Sequence, residues 1–566
     1  MTDTEAVPGT DAGDGDDGLT GHGGEHAVAA FRAHGIDTMF TLSGGHVFPV
    51  YDGAVKAAEP LRILDVRHEQ SAVFAAEATA KLTRRPGLAV LTAGPGVTNG
   101  VSAVTTAHMN GSPLLVFGGR APAFRWGSGA LQELDHPPLL APVTKRAATV
   151  HETERIAADV SDALTLAATP HRGPVFLDVP MDVLFDRGSA PAPVPARIAP
   201  VAPDPDAIDA AAALLADARH PVLVLGHDVW MGGAEDAARR AAETTGIPVV
   251  ANGMGRGILP RGHELLASRA RAAALGRADV VVVVGAPLDF RLGYGVFGGR
   301  DGTPPARVVH LTDGPGQSAP GGGAPAVSVR ADLALALDAL VEAWARKAAP
   351  RAYRDWSAEV QGAARTAYQS DRALLDAGGD SIHPVRVYGE LLRVLDDDAV
   401  VIGDGGDFVS YAGKYVEPAR PGGWLDPGPY GCLGTGLGYA IGARLARPAA
   451  QIVLLLGDGA AGFSLMDVDT LVRHRLPVVM IVGNNGIWGL EKHPMRSLYG
   501  YDVAADLAPG TRYDEVVRAL GGAGETVAAP DGIAPALARA FASDVPYLVN
   551  VLTDPEAVYP RSTNGV

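Results

Sequence analysis

LLLGDGAAGFSLMDVDTLVRHRLPVVMIVGNNG, residues 454–486, decides how the rest of the chain is read. Two apolar runs flank FSLMDVDTLVRH, a segment with helical spacing. Strand, helix and strand in that order form a parallel unit whose two strands end at the same sheet edge. Asp458, in Gly457-Asp458-Gly459, and Asn485, in Asn484-Asn485, therefore converge as hard oxygen donors. Such a pair with a backbone carbonyl suits Mg²⁺, which keeps water and substrate phosphates as further ligands. Gly459 lets the backbone approach a diphosphate, and a helix starting near Ala460 offers it free N–H groups. A bare GDG would mean only a turn at a strand end. AVVIGDGGDF (399–408) holds a second one, without an Asn pair at the matching distance.

The pattern extends in both directions as three α/β blocks. Residues 25–190 alternate short apolar runs (DTMFTL, LRIL, GLAVLT, SPLLVFG, PVFLDVP) with Ala-rich helical segments. Residues 206–348 repeat this with HPVLVLG, IPVVAN, ADVVVVVGA and ARVVHLT, and residues 381–555 with AVVIGDGG, QIVLLLGDG, LPVVMIVGNN and YLVNVLT. Alternation of this kind predicts an α/β fold of three doubly wound parallel-sheet domains. SAPAPVPARIAPVAPDP (189–205) reads as a stiff, extended linker, and residues 350–380 as a polar connector. Residues 1–24, rich in Gly and Asp, are expected to be a disordered tail, and 556–566 a C-terminal tail able to act as a lid. DAGDGDDG (11–18) lacks the bidentate Glu of a calcium loop.

A length of 566 residues exceeds one core. The net charge of −17 argues against nucleic acid or an anionic membrane surface as the main partner. A single cysteine, Cys432, rules out an internal disulfide and predicts a cytoplasmic protein. The longest apolar run, VVVVVGAPL, is too short to span a bilayer. GTGLGYAIG (434–442) has its third glycine one residue late for a dinucleotide fingerprint, which disfavours a NAD enzyme.

GDG followed by about 24 residues and NN is the signature of thiamine-diphosphate (ThDP) enzymes, counted here on residues 457–485. The block order resembles the acetolactate synthase, oxalyl-CoA decarboxylase and 2-hydroxyacyl-CoA lyase group, over most of residues 25–560. The resemblance implies pyrimidine-binding, central and diphosphate-binding domains in that order. It implies Mg²⁺ held by Asp458, Asn485 and the Ile487 carbonyl, with Gly457, Gly459, Ala460, Gly406 and Asp407 at the diphosphate. It places the Gly431 carbonyl on the cofactor's 4′-amino group and makes Leu433 the wedge that bends the cofactor.

The same resemblance gives DVRHEQSA (65–72) a role. Glu69 stands at the start of a helix after a short strand, where an acid is ordinarily explained by the helix dipole. In the family the Glu of an RHEQ-like stretch hydrogen-bonds N1′ of the aminopyrimidine and promotes loss of the thiazolium C2 proton. That chemistry requires a carboxyl in dry surroundings. FAAEATA (74–80) reads as an uncharged helix suited to this. The family places this Glu in the neighbouring subunit's active site, implying at least a homodimer and, by extension, a homotetramer. Gln132, in GALQELDH, matches a Gln facing the reaction centre.

Within the group, ADVVVVVGAPLDFRLGYG (278–295), WLDPGPYGCLGTGLGYAIGA (424–443) and TLSGGHVFPVYDG (41–53) resemble the lyases. The resemblance implies cleavage of a 2-hydroxyacyl-CoA, such as 2-hydroxyisobutyryl-CoA, to a ketone or aldehyde plus formyl-CoA. It also implies ADP rather than FAD in the central domain, with Arg155 and Asp313 as contacts. The chain departs from the lyases at Trp488, where they carry Tyr, and Glu491 is the candidate polar replacement. It departs again at Gly413, where a CoA-phosphate Arg would stand, leaving Lys414, Arg420 and Arg561 as substitutes. The alternatives are an acetolactate synthase-like carboligase on pyruvate, an oxalyl-CoA decarboxylase, or a non-catalytic ThDP- and nucleotide-binding protein.

Overall fold

The computed structural model describes residues 18–315 and 324–560. Three parallel sheets carry the chain. The first has six strands in the order Arg62–Asp65, Thr38–Thr41, Gly87–Leu91, Leu114–Arg120, Pro174–Pro180, Ala147–Thr149. The second has five: Val249–Ala251, Pro221–Leu225, Val280–Val284, Arg307–Thr312, Val327–Arg330. The third has six: Trp424–Leu425, Val400–Asp404, Ile452–Gly457, Val479–Asn484, Tyr547–Leu552, Ala523–Val527. Helices cover both faces, so central strands such as Val280–Val284 and Ile452–Gly457 are buried along their whole length. Each fully buried Val or Leu there stabilises the fold by about 1.5–3 kcal/mol.

Two expectations about the chain's organisation are corrected. Residues 18–24 are not a loose tail: Gly18–His22 pairs antiparallel with Arg187–Pro191, and a helix follows from Gly23. Residues 1–17, with most of DAGDGDDG, lie outside the described residues, as do 561–566 of the expected lid. The polar connector is instead largely a helix, Arg354–Leu375, that buries Trp356, Val360, Ala364 and Leu375, and with them Asp371, which pairs with Arg269 and Lys414. Its apolar residues are spaced for one face, and neighbouring charges hid that stripe.

The first and third domains meet along two helices, Glu69–Thr83 and Thr435–Ala446. A Cβ on Gly438 would lie 2.6 Å from Phe74 Cβ, and one on Gly442 would lie 2.3 Å from the Ala75 carbonyl oxygen. Gly438 and Gly442 of GTGLGYAIG therefore serve helix-on-helix contact. Beside them the Glu69 helix carries a buried ion pair, Glu77–Lys81 at 3.0 Å, with the Tyr439 hydroxyl on both partners. The helix read as uncharged is thus charged where it faces the third domain. DVRHEQSA is tied down from the same side: Asp467 accepts from Arg67 N (2.8 Å) and Ser71 Oγ (2.5 Å), and Asp65 pairs with Arg473 and His474.

Candidate functional site

The strands Val400–Asp404, Ile452–Gly457 and Val479–Asn484 are neighbours in register, so both GDG turns and the Asn pair end at one edge. Asp458 is almost wholly buried. Its two carboxylate oxygens accept N–H groups of Gly459 (2.9 Å) and Gly486 (2.7 Å), and the Tyr513 hydroxyl reaches its carbonyl at 3.1 Å. Asn484 and Asn485 divide their work. Asn484 Nδ2 is spent on Thr511 and Asn550, holding the strand end together. Asn485 points the other way, and its Nδ2 donates to Asp407 Oδ2 at 3.2 Å.

Burial pushes the Asp458 carboxyl up to about 6, against its two N–H donors, and nearby Asp407 adds to the rise. Burial also raises Asp407. Buried carboxyls crowded this way are stabilised by a cation, so the residues fit a hard divalent ion. The backbone is open beside two glycines: Gly406 and Gly431 have φ of +67° and +66°, with nothing within 4 Å of a Cβ built on either. Leu433 and Ala460 face each other across Gly405, whose added Cβ would lie 3.1 Å from Leu433 Cδ2 and 2.5 Å from Ala460 Cβ. Gly459 is also constrained by its own chain: a Cβ there would enter the Trp488 ring at 2.5 Å.

The second GDG does more than turn the chain. Asp404, fully buried, accepts from Gly434 N (3.1 Å) and Gly436 N (2.8 Å), clamping the segment that carries Leu433. Burial lifts its carboxyl to about 7, opposed by those donors. Sequence reading passed over Asp404 because its partners lie 30 residues on. His493, whose charge opposes the rise at Asp407, was missed likewise.

Glu69 opens the helix Glu69–Thr83 and is only 7% exposed. Asn99 Nδ2 donates to its Oε2 at 3.0 Å. Asn99 closes the short helix Pro95–Asn99, which springs from Gly94 at φ +58°, ψ −113°. Gln132, itself at φ +60°, packs on that turn: a Cβ on Gly94 would lie 2.9 Å from Gln132 Cβ. Among the described residues no hydrogen bond joins Glu69, in the first domain, to the Asp458 group in the third.

The remaining candidates disperse. Among the described residues Arg155 makes no hydrogen bond or ion pair to the central domain; its side chain is 58% exposed and paired to Asp159 at 2.8 Å, because residues i and i+4 of one helical stretch meet there. Asp313 does follow its strand, beside a cavity of about 500 Å³ that Lys81, His171, His227, Asp228 and Arg291 help to line. Its Oδ2 accepts from Arg172 Nη1 at 2.7 Å, and its Oδ1 lies 3.8 Å from His171 Nδ1. Glu491 is exposed in the first turn of Gly489–Tyr499, and Lys492 pairs with Asp502 and Asp506. Lys414 pairs with Asp371 at 3.1 Å, while Arg420 lines a separate groove with Glu235 and Arg239, and Arg561 lies outside the described residues.

Three parallel-sheet domains, with a buried acid at a helix start in the first and GDG and NN at one sheet edge of the third, define an enzyme class that works with a diphosphate cofactor. The chain belongs to the thiamine pyrophosphate enzymes: it matches their N-terminal TPP binding domain over residues 21–139, their central domain over 208–340 and their C-terminal TPP binding domain over 404–551. It is 51% identical over 550 residues to the "Probable acetolactate synthase" of Mycobacterium bovis, covering 96% of this chain and 98% of that protein. The same figures hold for the "Acetolactate synthase large subunit IlvG" of Mycobacterium tuberculosis. It is 36% identical over 548 residues to the "2-hydroxyacyl-CoA lyase 2" of Mus musculus, covering 89% of this chain and 84% of that protein. The order of likeness reverses the reading drawn from residues 278–295 and 424–443, which put the lyases first. No helix among the described residues is long and apolar enough to cross a membrane.

Proposed function

We propose that the chain is a ThDP-dependent carboligase of the acetolactate synthase kind, joining two molecules of a 2-oxo acid such as pyruvate with loss of carbon dioxide. The observation that carries this is the 51% identity along nearly the whole of both chains. The site supports it: Lys414, a candidate for a CoA phosphate, is already held by Asp371. The lyase reading with an acyl-CoA substrate keeps one specific support, the 36% identity to 2-hydroxyacyl-CoA lyase 2.

In this reading Asp458, Asn485 and the Ile487 carbonyl hold Mg²⁺, and Gly406, Gly431 and Gly459 make room for the cofactor. ThDP, when bound, supplies the nucleophilic carbon. Glu69 holds a proton at the aminopyrimidine, and Asn99 fixes the orientation of its carboxyl. Leu433 and Trp488 exclude water with apolar surface. The two half-sites, at Glu69 and at Asp458, are completed by a second copy of the chain. Support for a homodimer, and a tetramer built from it, comes from exposed apolar residues beside both halves: Phe124 (72%), Leu131 (78%), Phe463 (54%) and Met466 (55%). The cavity at the central strand ends takes an adenine nucleotide, ADP or FAD, at the edge where such sheets bind nucleotides.

The test is product analysis with ThDP and Mg²⁺. Acetolactate from pyruvate supports the carboligase. Formyl-CoA from a 2-hydroxyacyl-CoA, with no acetolactate, overturns it in favour of the lyase.

A further inference from the structure

Behind the Glu69 half-site runs a buried chain of polar groups that the cofactor chemistry does not account for. His136 is completely buried. The backbone N–H of Gly94 donates to its Nε2 at 2.9 Å, and its Nδ1 lies 2.8 Å from Asp178 Oδ2. A backbone N–H is a donor only, so Nε2 must be the unprotonated nitrogen and Nδ1 must carry the proton given to Asp178. Asp178, also fully buried, holds Arg120 Nη1 at 3.0 Å on the same oxygen, and Arg120 reaches Asp135 at 2.9 Å. The tautomer of His136 is thus set from behind and spent on one backbone amide in front.

That amide belongs to the residue on which the half-site turns. Gly94 starts the short helix that ends in Asn99, the donor to Glu69, and it carries Gln132 on its other side. We propose that His136 is a positioning residue for the reaction: held by Asp178 and Arg120, it fixes the Gly94–Asn99 turn and thereby the carboxyl of Glu69. The proposal rests on the reading of Glu69 as the acid that meets the cofactor. Its consequence is specific: what matters at position 136 is a hydrogen-bond acceptor at the place of Nε2, not ring volume or charge.

Two polar variants separate these. In His136→Gln the side-chain oxygen reaches the place of Nε2 and still accepts from Gly94. His136→Asn is too short for that and reaches only Asp178. The first readout needs no substrate: hydrogen–deuterium exchange of the apo protein over residues 92–100. Exchange there should rise ~10-fold or more in His136→Asn and stay within ~3-fold of wild type in His136→Gln, because an amide without its acceptor opens locally. With cofactor and pyruvate, kcat should fall ~10- to 100-fold in His136→Asn, with KM little changed, and stay within ~3-fold in His136→Gln, the scale expected when a catalytic group is misplaced by about an ångström. Equal behaviour of the two variants, whether both like wild type or both impaired, overturns the proposal. Glu69→Gln measured alongside keeps the two readings apart. If it turns over like wild type, the role of Glu69 falls. If it is inactive while the two His136 variants exchange alike, the positioning proposal alone falls.

Discussion

Asn485 Nδ2 lies 3.2 Å from Asp407 Oδ2, so the asparagine pair and the second glycine turn, 78 residues apart in sequence, meet at one edge of the third sheet. Asp458 stands at the end of the strand between them. Three polar side chains from three neighbouring strand ends gather there.

Replacing Asp458 by Ala removes both the proposed metal ligand and the acceptor of Gly486 N–H. Mg²⁺-dependent ThDP binding should weaken by ~100-fold or more, beyond the 10- to 100-fold typical of outer-shell losses. Trp488 sits against neighbouring Gly459, so its fluorescence is a suitable reporter during titration. Unchanged affinity would remove Asp458 from the metal site.

Asn99→Leu keeps the volume but withdraws the donor from Glu69. The carboxyl loses its fixed orientation, and kcat should drop ~10-fold or more while ThDP affinity changes little, because proton-transfer groups act by placement. Steady-state kinetics with a ThDP titration checks this. A fall in affinity with kcat intact would make Asn99 a binding residue instead.

Glu77→Gln leaves the Lys81 ammonium without its anion at the contact between the first and third domains. Breaking a buried pair from one side costs about 3–5 kcal/mol, so a clear drop in melting temperature is expected. Glu77→Gln combined with Lys81→Met should recover much of it. A double variant no better than the single one would show that the charge is not the cause.

His171 joins the first domain to Asp228 and Asp313 of the central one, at 3.4 and 3.8 Å. Burial alone would lower its imidazole, but the two carboxylates outweigh this and carry it up to about 10. A raised value means the folded protein holds a proton that the unfolded chain releases above 6.5. The contribution is therefore whole below pH 6.5 and lost as pH rises through 10. His171→Gln should melt several degrees below wild type at pH 6, with the gap shrinking toward pH 10. A gap independent of pH would mean that packing, not charge, accounts for the loss.

Much of this was legible in the residues. Short continuous apolar runs alternating with helical segments mark all three sheets, and GDG with NN marks the proposed metal edge, because local spacing alone carries those signals. Asp458, Asn485, Glu69, Gly431 and Leu433 could be named on that basis together with family resemblance. Arg155 could not be judged, since a surface i,i+4 pair and a nucleotide contact look alike in sequence. His136 drew no attention, because its partners Gly94 and Asp178 are each 42 residues away. Asp404 was read as a turn residue for the same reason.

What the sequence by itself determined is the class of fold, the order of its domains and the identity of the chemical groups, all written in periodicity and short motifs. The tertiary structure alone decided which oxygen faces which donor. It decided that Asn484 is spent on Thr511 while Asn485 turns to Asp407, that Gly438 and Gly442 serve helix contact, and that Glu77 and Lys81 share one dry interface. Hydrogen bonds and buried charges depend on distance in space, and residues far apart in the chain reach that distance only when the sheets and helices have packed.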